Sequence, residues 1–159
     1  MKIRALMIPD PITIRENASI TDALEVMKVN SIRHLPVVSD KNELRGFVTL
    51  ADLKQGLIPS MVGDLTLKDL MIKAPITVAP DQDIEIAAQL IYKHKIGGLP
   101  VVEDGKLWGI ITVTDLLGAF INMMGLLSAS SRVDVVVENK SGALKKAIQV
   151  VNDAGGDII

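Results

Sequence analysis

The chain has 159 residues, of which 48% are hydrophobic but only 3% aromatic, with 17 Lys and Arg against 19 Asp and Glu. That is enough for an aliphatic core, while a formal charge of -2 and so few rings exclude a broad phosphate-backbone contact and base stacking, and with them nucleic acid as a partner. The absence of cysteine excludes disulfides, thiolate catalysis and zinc-thiolate sites, and the first 14 residues alternate charge with apolar groups instead of forming an export signal, so a cytoplasmic location is expected.

From the N-terminus, Leu6-Met7-Ile8 and Pro11-Ile12-Thr13 form an extended entry. Ser19 followed by Asp22 predicts an N-cap, and Ile20, Ala23, Leu24 and Met27 fall at i, i+3, i+4 and i+7, one stripe of an amphipathic helix. Residues 35–38 and 44–49 are short β-rich runs joined by the polar turn 39–43, a hairpin, and a helix is expected over about 50–57.

The same succession then recurs. Shifted by 64 positions, Leu6-Met7-Ile8 falls on Leu70-Met71-Ile72, Pro11-Ile12-Thr13 on Pro75-Ile76-Thr77 and Leu35-Pro36-Val37-Val38 on Leu99-Pro100-Val101-Val102, with 14 identities over residues 6–40. Composition alone gives about two or three in such a window. One deletion in the second turn brings Gly46, Thr49 and Asp52 onto Gly109, Thr112 and Asp115. Asp83 is the second N-cap candidate, Ile84, Ala87, Ala88 and Ile91 repeat the stripe, and residues 99–102 and 107–112 repeat the hairpin before a longer helix over 113–124. Residues 107–127 could pass for a membrane span, but Asp115 and Asn122 interrupt them and the duplication divides them into strand and helix, so no membrane contact is expected.

The expected fold is therefore mixed α/β (α+β): two pseudo-twofold-related β-α-β-β-α repeats, residues 1–62 and 63–124, burying their apolar faces against each other as one module with clefts at the junction. The residues that carry chemistry close each hairpin, Gly46-Phe47-Val48-Thr49-Leu50-Ala51-Asp52 and Gly109-Ile110-Ile111-Thr112-Val113-Thr114-Asp115. Thr and Asp three apart at a strand-to-helix turn make a capping-box variant. The same geometry also presents free amides, a hydroxyl and a carboxylate to the phosphate and ribose of a nucleotide, and the two readings are compatible. Arg33-His34 precedes Leu35-Pro36 where Gly97-Gly98 precedes Leu99-Pro100, so the copies differ where an anion would be held. Arg33 and His34 read equally as solvated surface groups. Asp81 and Asp83 read as an exposed cap, and with only His34 and His94 present no metal or catalytic cluster is expected.

The paired motifs Pro-Ile-Thr, Ile-x-x-Leu-Pro-Val-Val and Gly-x-x-Thr-x-x-Asp resemble the CBS-domain pair, or Bateman module, over about residues 1–124. The resemblance implies a non-catalytic regulatory module that binds an adenine nucleotide (AMP, ADP, ATP or an S-adenosylmethionine-like ligand) with no catalytic cofactor. It implies Asp52 or Asp115 on the ribose and Thr49 or Thr112 near phosphate. Ile12, Thr13, Ile76, Thr77 and the segments of Leu35, Pro36, Leu99 and Pro100 would flank the base, and Arg33, His34, Gly98 and Thr114 would complete the site. It further implies a homodimer that signals to a regulated protein; the alternative is a structural dimerisation module whose clefts stay empty.

Residues 125–131 read as a small-residue linker. Beyond it, residues 133–138 are expected as a strand, 143–154 as a helix with Ala147, Ile148 and Val151 apolar, and 155–159 as the start of another strand. Val-Val-Glu-Asn-Lys-Ser-Gly-Ala-Leu and the later Ala-Gly-Gly-Asp-Ile resemble the first half of an ACT domain, so residues 132–159 are expected to be a partial ACT-like βαβ segment. A CBS pair followed by ACT is the arrangement of acetoin-utilisation AcuB-like proteins. Half an ACT domain cannot close a core, so truncation of the chain or docking of the fragment on the module or a second subunit is expected.

Overall fold

The computed structural model describes residues 1–55, 65–124, 135–137 and 139–155. The chain divides into two compact units, Met1–Ile121 and Asn122–Ile159. The order of elements is a 3-10 turn (Ile3–Ala5), β1 (Ile8–Pro9), β2 (Ile14–Arg15), α1 (Ile20–Val29), β3 (His34–Val38), β4 (Leu44–Thr49), α2 (Leu50–Gln55), α3 (Leu67–Leu70), α4 (Ile84–His94), β5 (Gly98–Glu103), β6 (Lys106–Thr112), α5 (Val113–Met123) and α6 (Ala143–Asp153).

The helices start where their caps dictate. Asp22 N–H donates to Ser19 Oγ and Ser19 N–H to Asp22 Oδ2, both at 3.0 Å, a reciprocal box that opens α1 and turns Ala23 and Met27 into the core. Asp83 takes the N-cap position of α4, but its side chain makes no cap hydrogen bond. Its carboxylate pairs with Lys2 at 2.9 Å instead, while that of Asp81 pairs with Arg4 at 2.6 Å, so these two side chains clamp the N-terminal turn.

Each hairpin forms as the alternation requires, β3 antiparallel to β4 and β5 antiparallel to β6, and both slip register by a bulge at Val37/Val38 and at Val101/Val102. The repeats then exchange their entries. β2 pairs in parallel with β3 of its own repeat, yet β1 runs antiparallel to β6 of the other, Ile8 opposite Ile110. Symmetrically, Val78 bridges Val101 in its own repeat while Ile72 bridges Phe47 in the first, with N–H to carbonyl bonds of 3.0 and 2.9 Å. Glycine allows the close approach at both crossings. A Cβ on Gly109 would lie 2.8 Å from the Ile8 carbonyl oxygen, and one on Gly46 would lie 2.6 Å from Met71 Sδ and 3.1 Å from the Ile72 oxygen.

The exchange extends into the cores. Ile3, fully buried, sits with Val78, Ile84, Ala87, Ile91, Leu99, Val101 and Ile111 of the second repeat. Leu67, also fully buried, sits with Ile14, Ala23, Met27, Leu35, Val37, Val48 and Leu53 of the first. Burying one such side chain stabilises by about 1.5–3 kcal/mol, so each half owes part of its core to the other. The hairpin turns add a third link, through Leu44 N–H to the Gly105 carbonyl at 3.1 Å and Leu107 N–H to the Asn42 carbonyl at 3.0 Å.

In the second unit the expected helix is present as α6, and none of its residues is buried. Of the strand expected over 133–138, residues 133, 134 and 138 lie outside the described residues, and residues 135–137 are exposed and in no strand among them. The linker over 125–131 and the final strand beyond Gly155 lie outside the described residues.

Candidate functional site

The exchanged entries open one cleft of about 1190 Å³ lined by both repeats. Register explains why. Ile72 lies opposite Phe47, two residues before Thr49, and Ile8 lies opposite Ile110, two residues before Thr112, so each Thr-Asp turn meets the entry strand of the other repeat.

At each turn the two carboxylate oxygens are unlike. Asp52 Oδ2 accepts from Thr49 N–H at 3.0 Å and from Thr49 Oγ1 at 2.7 Å. Asp115 Oδ2 accepts from Thr112 N–H and Oγ1, both at 2.7 Å. The capping box closes fully in the first repeat, where Asp52 N–H also donates to Thr49 Oγ1 at 3.3 Å, and by the aspartate's side alone in the second; Oδ1 of each aspartate has no hydrogen-bond partner among the described residues. A carboxylate pinned by one oxygen presents the other as a fixed acceptor, which is what a vicinal diol needs.

Of the residues singled out in the sequence, Ile12, Arg33, His34, Pro36, Thr49, Asp52, Ile76, Gly98, Thr112, Thr114 and Asp115 line the cleft. Thr13, Leu35, Thr77, Leu99 and Pro100 do not. Leu35 and Leu99 are fully buried in the two cores, since alternate strand residues face opposite ways and their neighbours His34 and Gly98 take the cleft face. Pro100 is buried in β5, where its carbonyl accepts from Val78, and Thr77 is exposed outside the cleft. Thr13 is half-buried outside it.

Sequence reasoning missed Lys54 and Lys95 in the lining, and it gave Phe47 no role there. Lys54 follows Asp52 by two residues on α2, and Lys95 ends α4 in the left-handed region at φ 53°, a conformation it shares with its counterpart Ser31 at φ 55°. Only the self-alignment could have pointed to that pair. Arg33, Lys54 and Lys95 form no ion pair among the described residues, and they share the cleft with Asp10, Asp52 and Asp115.

The asymmetry at Arg33-His34 and Gly97-Gly98 has a steric basis. The His34 ring stacks on Phe47, centroids 5.9 Å apart at 17°. Its far edge reaches across the seam, where a Cβ on Gly97 would come within 2.5 Å of Nε2. Glycine at 97 is therefore the hole that receives the imidazole. Burial, and then the charge of Arg33, pushes the His34 pKa below its ordinary value, so the ring favours its neutral form.

The sequence matches the CBS-domain family over residues 3–58 and 67–122. The chain belongs to the CBS-domain family. Its CBS pair superposes on that of protein MJ0100, solved in complex with 5′-methylthioadenosine and S-adenosyl-L-methionine, with TM-score 0.72 and 28% identity over 77% of this chain and 98% of that one. A putative acetoin utilization protein (AcuB) from Vibrio cholerae is 32% identical, with TM-score 0.71, over 83% and 98% of the two chains. CBSX2, solved in complex with AMP, is 32% identical with TM-score 0.68 over 77% and 98%. The chain spans 61% of the length of the Methanocaldococcus jannaschii protein MJ1225, to which it is 31% identical. It is 39% identical over 114 residues to the homoserine O-acetyltransferase of Methanocorpusculum labreanum, of whose length it spans 23%. No helix among the described residues of this CBS protein is long and apolar enough to cross a membrane.

Proposed function

We propose that this CBS pair is a regulatory module that binds an adenosyl ligand, AMP, ADP, ATP or an S-adenosylmethionine-like compound, in the cleft between its repeats and performs no chemistry on it. The observation that carries the reading is the pair of Thr-Asp turns lining one cleft, each aspartate with one oxygen bonded to its Thr and the other without a hydrogen-bond partner among the described residues. In this reading Oδ1 of Asp52 or Asp115 accepts from the ribose hydroxyls, and Ile12 and Ile76 flank the base. Thr49, Thr112 and Thr114 lie near the ligand's polar tail, and Arg33, Lys54 and Lys95 neutralise an anionic one. CBS neighbours solved with AMP and with S-adenosyl-L-methionine support the ligand class.

Signalling follows from the exchanged entries. A ligand touching both repeats shifts their packing only as far as it binds one arrangement better than another, and a homodimer in the cytoplasm would relay that shift to a regulated protein. The C-terminal segment would serve that relay as an ACT-like contact. The competing reading is a structural dimerisation module, favoured by the fact that each Thr-Asp pair already satisfies itself as a cap.

Calorimetric titration with AMP, ATP and S-adenosylmethionine decides between them. Binding that stabilises the fold in proportion to ligand concentration is expected, and no heat or thermal shift with any of the three at millimolar concentration would leave the structural reading. Asp52→Asn combined with Asp115→Asn keeps a capping oxygen but removes the second acceptor. Loss of a charge-assisted hydrogen bond of about 1.5–3 kcal/mol weakens affinity roughly tenfold or more, and unchanged affinity would remove the ribose assignment.

A further inference from the structure

We propose that His34 is a specificity-determining residue that makes the two halves of the cleft inequivalent, roofing the Thr112-Asp115 half and leaving the Thr49-Asp52 half as the one filled first. The proposal rests on the adenosyl-binding reading above and deepens it.

The comparison is internal to the molecule. The backbone before each Leu-Pro strand also supports the adjacent helix start: Leu50 N–H donates to the Arg33 carbonyl at 3.0 Å, and Val113 N–H donates to the Gly97 carbonyl at 3.1 Å. Arg33-His34 therefore borders the Thr49-Asp52 turn, and Gly97-Gly98 borders the Thr112-Asp115 turn. The His34 ring lies against Gly97-Gly98, its Nε2 2.5 Å and its Cε1 2.8 Å from where a Gly97 Cβ would stand. Its Cδ2 lies 3.6 Å from the Cβ position of Gly98, which is itself 3.2 Å from Thr112 Cγ2. The imidazole thus occupies the approach to the backbone of the second half. Nothing reciprocates, because residues 97 and 98 have no side chain to extend over the first half.

The ring is also held there. Its stack on Phe47 fixes one face, whereas the counterpart of Phe47 is Ile110, which offers no such platform. Electrostatics add to the bias for an anionic ligand. The counterparts of Arg33 and Lys54 in the second repeat are Gly97 and Leu117, and only Lys95, whose counterpart is Ser31, favours the other side.

Titration calorimetry with AMP and, separately, with uncharged 5′-methylthioadenosine tests this on the intact chain. The expected isotherm has one tight site and a second at least tenfold weaker. Asp52→Asn removes the tight class and Asp115→Asn spares it. His34→Gly, with His34→Ala as a second variant should glycine unsettle β3, brings the two affinities to within about threefold for 5′-methylthioadenosine. Two equal sites in the wild type, loss of the tight class with Asp115→Asn instead, or a ratio unchanged in both folded His34 variants would overturn the proposal. Absence of any binding by the wild type would instead defeat the adenosyl reading itself.

Discussion

The two repeats share a helix start that is nearly superposable in its bonding and differ at the seam that faces it. In both, the Thr hydroxyl and amide donate to one Asp oxygen, with hydroxyl-to-carboxylate distances of 2.7 Å, and the first adds a return bond from Asp52 N–H to Thr49 Oγ1 at 3.3 Å. Yet one repeat contributes a stacked imidazole to the junction and the other a pair of glycines that admit it. A duplicated fold keeps its local rules in both copies, because capping and alternation are satisfied within a few residues. At a pseudo-twofold seam two identical large side chains would compete for one space, so difference is expected there.

The strongest way to break the comparison is through what the repeats exchange. Ile3→Ala and Leu67→Ala each remove a fully buried side chain from the other repeat's core. Each should cost about 2–5 kcal/mol, and urea denaturation should show one shared transition moving to lower concentration in both variants. If either substitution loosened only its own repeat, the exchange would not be what couples them.

The crossings give a smaller and unequal effect. Gly109→Ala sets a Cβ 2.8 Å from a backbone oxygen, whereas Gly46→Ala first meets a methionine sulfur that can swing away. Overpacking at the rigid site should cost about 1–3 kcal/mol and at the yielding one less; thermal melts of the two variants measure the order.

Titration sharpens the contrast further, with effects that need only a direction. Folding lowers the His34 pKa, so its contribution is complete above the unfolded value of about 6.5 and is lost as pH falls through the folded value. Melting temperature should therefore drop on acidification below that point in the wild type and flatten in His34→Gln. The second repeat has no such group at position 98. The smallest change belongs to Asp22, whose carboxyl is held low by the Ser19 hydroxyl and then by the Ser19 amide. Its stabilisation is present above about pH 4 and fades as pH falls toward the folded value, and Asp22→Asn should remove only that acid-side part of the melting profile.

How far this was legible in the sequence follows from the range of each interaction. The duplication, the stripes of α1 and α4, both hairpins and the Thr-Asp turns are local patterns, and they appear where spacing put them. The crossing of β1 to β6 was not legible, since a two-residue strand pairs with whatever edge passes it and carries no register of its own. Leu35 and Leu99 were expected beside a ligand because the motif was treated as a block, whereas period-two alternation sends every second residue to the core. The spacing showed that the copies differ at Arg33-His34 and Gly97-Gly98, but not that the space at Gly97 is taken by His34, a contact spanning 63 positions that no local rule reports.

The exchanged entry strands also decide how mechanical load would travel. Tension applied at Lys2 would be borne by its bond to Asp83 and by Ile3 within the far repeat, not by the neighbouring α1. An optical-tweezers trace with handles at positions 1 and 124 should accordingly show both cores opening in a single rip, where a bead-on-string arrangement would release them one after the other.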